Sequence, residues 1–273
     1  MRPNSRGKFF CYHHTLFFPR RQIFAPLLHI LALILRKGSG AVKKILAVLA
    51  AISLLASCAP SAEAGNTKEA KGCIALTFDD GPSGAITERL LDGLTARNVK
   101  ATFFLCGYRI EKYPEIAQRM ASCGHELGLH SNRHDYMQHM TKEEALDDLS
   151  ECQSILTETT GVTAKLFRPP GGLYSQDLLA ASKELGLSVV FWSVDPHDWD
   201  KEKSAQVLPY LLSHAAAGDV ILMHDLTEHS VSAALSFIDT MRARGFEFCT
   251  VSELAALSGV TLAPGTYYNR FPH

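Results

Sequence analysis

"IALTFDDGP", residues 74–82, is an apolar run that ends abruptly in two adjacent acids and is closed by glycine and proline. The β-branched and aromatic content of Ile74–Phe78 suits a strand buried on both faces, as in a parallel sheet. Gly81 and Pro82 then signal a turn. Asp79 and Asp80 repel each other in a chain whose formal net charge is only -1, so their role depends on what else stands beside them.

Working outward, the same pattern recurs. Including the first run, Cys73–Phe78, seven short apolar stretches read as strands; the others are Ala101–Leu105, Glu126–Ser131, Leu166–Pro170, Ser188–Val194, Asp219–His224 and Phe246–Val251. Helical spacing fills the gaps. Ile86, Leu90, Leu91 and Leu94 form one stripe, with Asn98 as a stop. A Thr141/Glu144 capping box introduces Leu146, Leu149, Cys152 and Leu156. Leu178, Leu179, Ser182 and Leu185 lead to Gly186, and Val231, Leu235 and Ile238 lead to Gly245, each glycine placed as a helix C-cap. Pro209 predicts a break or kink between Lys201 and Ala217. Repeated strand–helix alternation means an α/β fold with parallel strands and helices outside. No G-x-G-x-x-G follows the first strand, which argues against an open dinucleotide-binding sheet. The expectation is a distorted parallel (β/α)7-type barrel forming a single catalytic domain over 72–258, with 259–273 as a C-terminal tail.

Composition sets few limits. The chain has 273 residues, 47% hydrophobic and 20% charged, the make-up of an ordinary globular protein. Its balanced charge gives no electrostatic reason for a nucleic-acid partner, and it is expected to act as a monomer. Seven cysteines occur singly without a C-x-x-C pair. The five from Cys73 onward read mostly as buried thiols, with room for one disulfide whose pairing the sequence leaves open.

The first sixty residues are basic and apolar, with no acid before Glu63. Their two apolar runs, 23–35 and 45–57, each fall short of the about 20 residues that span a membrane. The second follows Lys43 and Lys44 and ends in Leu55-Ala56-Ser57-Cys58, the layout of a secretory signal that resembles the lipobox of bacterial lipoproteins. The organisation expected is a superfluous upstream segment over 1–41, a signal peptide over 42–57, and a lipidated Cys58 on a flexible tether over 58–71. A start at Val42 would leave a signal of normal length. The protein is then expected outside the cell, anchored to the outer face of the bacterial cytoplasmic membrane, or secreted.

Polar residues gather where the strands finish: Asp79 and Asp80, His130, Arg168, Asp195, and His224 with Asp225. In barrels of alternating β and α units the C-terminal strand ends build the active site. "HSNRH", 130–134, sets two imidazoles four residues apart, and one helical turn would point both at a common metal. With a carboxylate across the barrel mouth the set becomes a facial site of two histidines and one aspartate. Such a site has open positions for water and substrate, which suits catalysis. Side chains of neighbouring residues diverge at a strand end, so one aspartate is expected as a ligand and the other as a base.

These residues resemble the polysaccharide deacetylases, the NodB-homology carbohydrate esterases of family four. The motifs are "TFDDGP" (77–82), "HSNRH" (130–134), "RPPGG" (168–172), "DPHDW" (195–199) and "LMH" (222–224), in the family's order and spanning roughly 71–258. The resemblance implies that Asp80, His130 and His134 hold one divalent metal, zinc first, with cobalt or nickel able to serve. It implies Asp79 as general base, oriented by Arg168, and His224 as general acid, oriented by Asp195. Asp198 stands close enough to be the alternative partner of His224, and Asp225 reads as a loop or cap residue. Trp199 and Leu222 would wall a pocket for an acetyl methyl. Gly171 stands where the family often carries tyrosine; it keeps the backbone N–H but lacks the ring. The substrate implied is an acetylated polysaccharide, with peptidoglycan ahead of chitin oligomers and acetylxylan. A glycoside hydrolase using Asp79 or Asp80, or a non-catalytic sugar-binding lipoprotein, are the competing readings. The first has no need of the two histidines, and the second has no need of a base and an acid.

Overall fold

The computed structural model describes residues 70–272. The upstream segment, the signal peptide, Cys58 and all but the last two residues of the tether lie outside the described residues. Among the described residues no helix is long and apolar enough to cross a membrane.

Strand β1 (Cys73–Gly81) is the axis of the sheet. It pairs in parallel with β2 (Thr102–Leu105), with β6 (Val220–His224) and, through its first three residues, with β7 (Glu247–Cys249). From β2 the order continues through β3 (Glu126–Leu129), β4 (Leu166–Phe167) and β5 (Ser188–Val190). Beyond β5 the chain changes partner. The Ser193 N–H donates to the Val220 carbonyl at 3.0 Å and Val194 bridges Ile221, which brings the end of this segment onto β6 and curls the sheet into a distorted barrel.

The helices lie outside: α1 (Ala85–Ala96), α2 (Gly107–Lys112), α3 (Pro114–Ser122), α4 (Lys142–Thr160), α5 (Gln176–Glu184), α6 (Val207–His214) and α7 (Glu228–Ala243). Alternation along β1 divides the core. Ile74, Leu76 and Phe78 face the helices with Leu90, Leu91, Phe103 and Phe237, whereas Ala75 joins Phe104, Leu166, Val190 and Val220 inside the barrel. The capping box at Thr141 starts α4, Gly186 (φ 72°) follows α5 and Gly245 (φ 95°) follows α7, as the sequence indicated. Pro209 falls in the first turn of α6, where its missing N–H has no partner to lose. The break instead precedes it, as a 3-10 turn over Lys201–Gln206.

Two expectations are corrected. Val251 does not extend β7 but opens α8 (Val251–Leu257), because Thr250 and Glu253 form a second capping box. The segment expected as a tail adds β8 (Tyr267–Tyr268), parallel to β5, and buries Phe271 to 2% exposure beside Val251, Leu254 and Ala255. Together α8 and Phe271 plug the barrel at the end opposite the acidic pair. Cys73 and Cys249 are disulfide-bonded across β1 and β7, their Cα atoms 6.3 Å apart, while Cys106 and Cys152 are buried thiols.

Candidate active site

At the C-terminal end of β1 the ladder to β2 slips between Asp79 and Gly81, and Asp80 takes φ 69°. A bulge of this kind re-aims a side chain. In a regular strand Asp79 and Asp80 would point to opposite faces, whereas the left-handed residue brings the Asp80 carboxylate to the barrel mouth beside its neighbour. The turn behind it is braced by Asp225, whose carboxylate accepts from the Thr87 hydroxyl and packs so closely on Gly81 that a Cβ there would lie 2.5 Å from Oδ1.

His130 follows β3 directly, but no helical turn carries the two histidines. Ser131 (φ 63°) and His134 (φ 64°) fold residues 130–134 into a tight loop, and the Ser131 hydroxyl accepts the His134 N–H at 2.8 Å. The outcome matches the expectation by another route. His130 Nε2 lies 3.2 Å and His134 Nε2 3.1 Å from the same atom, Asp80 Oδ1. With His197 (φ 57°), four of the five non-glycine residues of positive φ among the described residues are at this site, a concentration of backbone strain that marks functional loops.

Three donors converging within 4.8 Å fit a divalent cation. Asp80 Oδ1 is buried and enters no hydrogen bond despite its two imidazole neighbours. His130 Nδ1 lies 2.7 Å from the Arg168 carbonyl; it therefore carries the proton, and the Nε2 lone pair is left to ligate. Burial pushes the Asp80 carboxyl up, but His130 and His134 outweigh it and hold it below the usual carboxylate range. The donor set, two imidazoles and one carboxylate on one side, suits zinc or another borderline metal and leaves positions open.

Asp79 is only 2% exposed, and its Oδ1 accepts from Arg168 Nη1 at 2.7 Å. Arg168 is fully buried. It donates also to the Thr77 hydroxyl (2.7 Å) and to the carbonyls of Val190 and Phe191 (2.9 Å each), and it stacks on Phe104. One face of Asp79 is thereby fixed, while Oδ2 looks toward the cluster, 3.8 Å from His130 Nε2.

Across the β1–β6 ladder Asp79 is in register with His224. Here the assignment of Asp195 as the partner of His224 is corrected. Asp198, fully buried, accepts the His224 Nδ1–H at 2.7 Å through Oδ1 and the His224 backbone N–H at 2.9 Å through Oδ2. Asp195 instead accepts the His197 N–H at 2.7 Å and faces its ring. The turn at His197 carries the chain three residues past Asp195 before a carboxylate reaches His224. Burial alone would lower the His224 imidazolium, but the Asp198 hydrogen bond and charge, with Asp79 and Asp80 nearby, raise it to about 9.

Asp79, Asp80, His130, His134, Asp195 and His224 open on one cleft of ≈ 410 Å³, lined also by Gly171, Trp199, Leu222, Trp192 and Tyr136. Larger depressions of ≈ 540 and ≈ 620 Å³ lie at the opposite end, around Cys73 and Glu247; they contain no comparable set of donors, so chemistry rather than size picks the site. Trp192 and Tyr136 were not singled out from sequence. Trp192 was hidden in an apolar run read as strand, and Tyr136 in a loop with no period. Among the described residues the other histidines do not join the donor cluster. His125 is packed edge-on against Phe103, His229 bonds the Asp198 carbonyl, and His139 and His214 are exposed.

The family model for polysaccharide deacetylase matches residues 66–190. A peptidoglycan-N-acetylglucosamine deacetylase of Bacillus cereus is 33% identical over 186 residues, covering 66% of this chain and 87% of that protein. The chain belongs to the polysaccharide deacetylase family. Within it, the peptidoglycan-N-acetylmuramic acid deacetylase PdaC of Bacillus subtilis is 36% identical over 181 residues, 66% of this chain. This chain covers 38% of the length of that relative. A solved family 4 acetyl xylan esterase from Clostridium thermocellum, in complex with a cobalt ion, superimposes with a TM-score of 0.69 at 33% identity, covering 74% of this chain and all of that one. The curled parallel sheet is therefore the polysaccharide deacetylase (β/α)7 fold.

Proposed function

We propose that this protein is a metal-dependent deacetylase that hydrolyses the acetamido groups of N-acetylated sugars in a cell-surface polysaccharide, peptidoglycan first. One observation carries the reading. An oriented carboxylate, Asp79, and a protonated imidazole, His224, stand in register on neighbouring strands and line the same cleft as the cluster of Asp80, His130 and His134. Those three residues would hold a divalent cation, zinc first, which would lower the pKa of a water toward about 7 and act as a Lewis acid on the acetyl carbonyl. Asp79, its Oδ1 held by Arg168, takes the proton of the attacking water on Oδ2. The Gly171 backbone N–H offers a donor to the developing oxyanion. His224, kept protonated by Asp198, gives its proton to the departing amine nitrogen as the C–N bond breaks. Leu222 and Trp199 bound the pocket for the acetyl methyl.

The sequence before the domain supports anchoring through a lipidated Cys58 at the outer face of the cytoplasmic membrane, which would set the enzyme beside the cell wall. Cys58→Ala is then expected to move the protein out of the membrane fraction. The names of the relatives support peptidoglycan as first choice, with chitin oligomers and acetylxylan following. The test is acetate release from these three substrates by protein stripped with chelator and reloaded with zinc. The reading expects release from an N-acetylated polymer only after reloading, and no release from any of the three would contradict it.

A further inference from the structure

Gly171 adopts φ 66° and ψ 6°, a left-handed conformation that other residues enter only under strain. The space its side chain would fill is also taken, since a Cβ there would lie 2.8 Å from Cε1 of Tyr136. Tyr136 comes from a different element, the loop that carries the two histidines. The residue is 62% exposed, with its ring centroid 6.3 Å from that of His134. The next residue, Met137, is fully buried and opens a 3-10 turn, so the backbone is anchored directly behind an exposed ring. Trp199, 59% exposed, lines the same cleft. Large aromatic rings this open to water gain little for folding, and here two of them border the donor cluster.

We propose that Tyr136 is the sugar-stacking, specificity-determining residue of this cleft, standing over the position that Gly171 leaves bare. A ring at 171 and the observed ring of Tyr136 exclude each other in space. The C–H face of a pyranose is apolar and weakly positive and suits the negative face of an aromatic ring. Tyrosine offers that face with few rotatable bonds. The inference rests on the deacetylase reading and narrows its ligand to a glycan chain rather than a small acyl ester.

The test uses fully N-acetylated chitotetraose and the sugar-free ester para-nitrophenyl acetate on zinc-loaded protein. Kinetics are measured for the wild type, Y136A and Y136F, and calorimetric binding of the tetrasaccharide for D79N and D79N/Y136A. Y136A is expected to raise both KM and Kd for the tetrasaccharide about tenfold. The KM for the ester should move far less than that for the tetrasaccharide, zinc affinity should be unchanged, and Y136F should stay within about twofold of wild type. Unchanged KM and Kd in Y136A would overturn the proposal, as would Y136F failing alongside Y136A. A loss of zinc affinity in Y136A would overturn it too, by making the ring a prop for His134. If the wild type releases no acetate, the deacetylase reading fails separately; the calorimetry then still decides, a weakened Kd in D79N/Y136A supporting the stacking and an equal one refuting it.

Discussion

Asp198 grips His224 twice, through the ring Nδ1–H at 2.7 Å and through the backbone N–H at 2.9 Å. The carboxylate thus fixes both where the imidazole sits and which nitrogen carries a proton toward the cleft. Against burial, it raises the imidazolium, together with the charges of Asp79 and Asp80, to about 9, so that at neutral pH the imidazole holds its proton.

The pH dependence follows in sign. His224 is protonated below about 9, and activity that needs its proton is lost as pH rises through that value. Asp198→Asn removes the anion that holds the proton and leaves burial, which lowers the imidazolium. The alkaline limb of the kcat profile should move down by more than about one pH unit. Asp195→Asn should leave that limb in place. Equal shifts in the two variants would return the role to Asp195.

Arg168 and Asp79 are both buried, so breaking the pair strands a charge. Arg168→Met should destabilise the fold by about 3–5 kcal/mol, read from denaturant unfolding. Arg168→Lys keeps the charge but not the fork that spans Asp79, Thr77 and two carbonyls. It should fold, bind zinc with near-normal affinity and lose at least about tenfold in kcat.

His130 is held by the Arg168 carbonyl and His134 by its loop, so their removal should differ in kind. His130→Ala empties a buried position and should weaken both stability and zinc affinity. His134→Ala, at a half-exposed position, should weaken zinc affinity alone. Zinc titration with a competing chelator, run beside thermal unfolding, separates the two.

The C-terminal segment is part of the barrel. Phe271→Ala should cost about 3 kcal/mol, and ending the chain at Ser258 should expose the plugged end and lower Tm markedly. A truncated protein as stable as the full chain would restore the segment to a tail.

The first strand was legible because one short stretch carries both a buried apolar run and an abrupt change to charge. The candidate donor cluster was legible for a related reason, since chemistry demands particular residue types and they stood where strands end. What escaped depends on contacts distant in sequence or on backbone turns that leave no period. Asp195 stands nearest the end of an apolar run, yet the turn at His197 hands the role to Asp198. The loop holding His130 and His134 depends on positive φ at Ser131 and His134, which no apolar period along the chain announces. Tyr268 and Phe271 fall in a stretch broken by Pro264, Gly265 and Pro272 with no helical or strand period, and only pairing with β5 and packing on α8 reveal them as structure. The missing ring at position 171 was visible in the sequence, but the tyrosine from another loop that covers its place was not.

The account turns on the division of labour between two neighbouring aspartates, and the most direct measurement compares zinc content and acetate release for Asp79→Asn and the wild type on an N-acetylated glycan. Asp79→Asn is predicted to retain one zinc per chain with near-normal affinity and to lose at least about a thousandfold in kcat. A variant that loses its zinc, or that keeps zinc and a tenth or more of its turnover, would contradict the assignment of Asp79 as base and Asp80 as ligand.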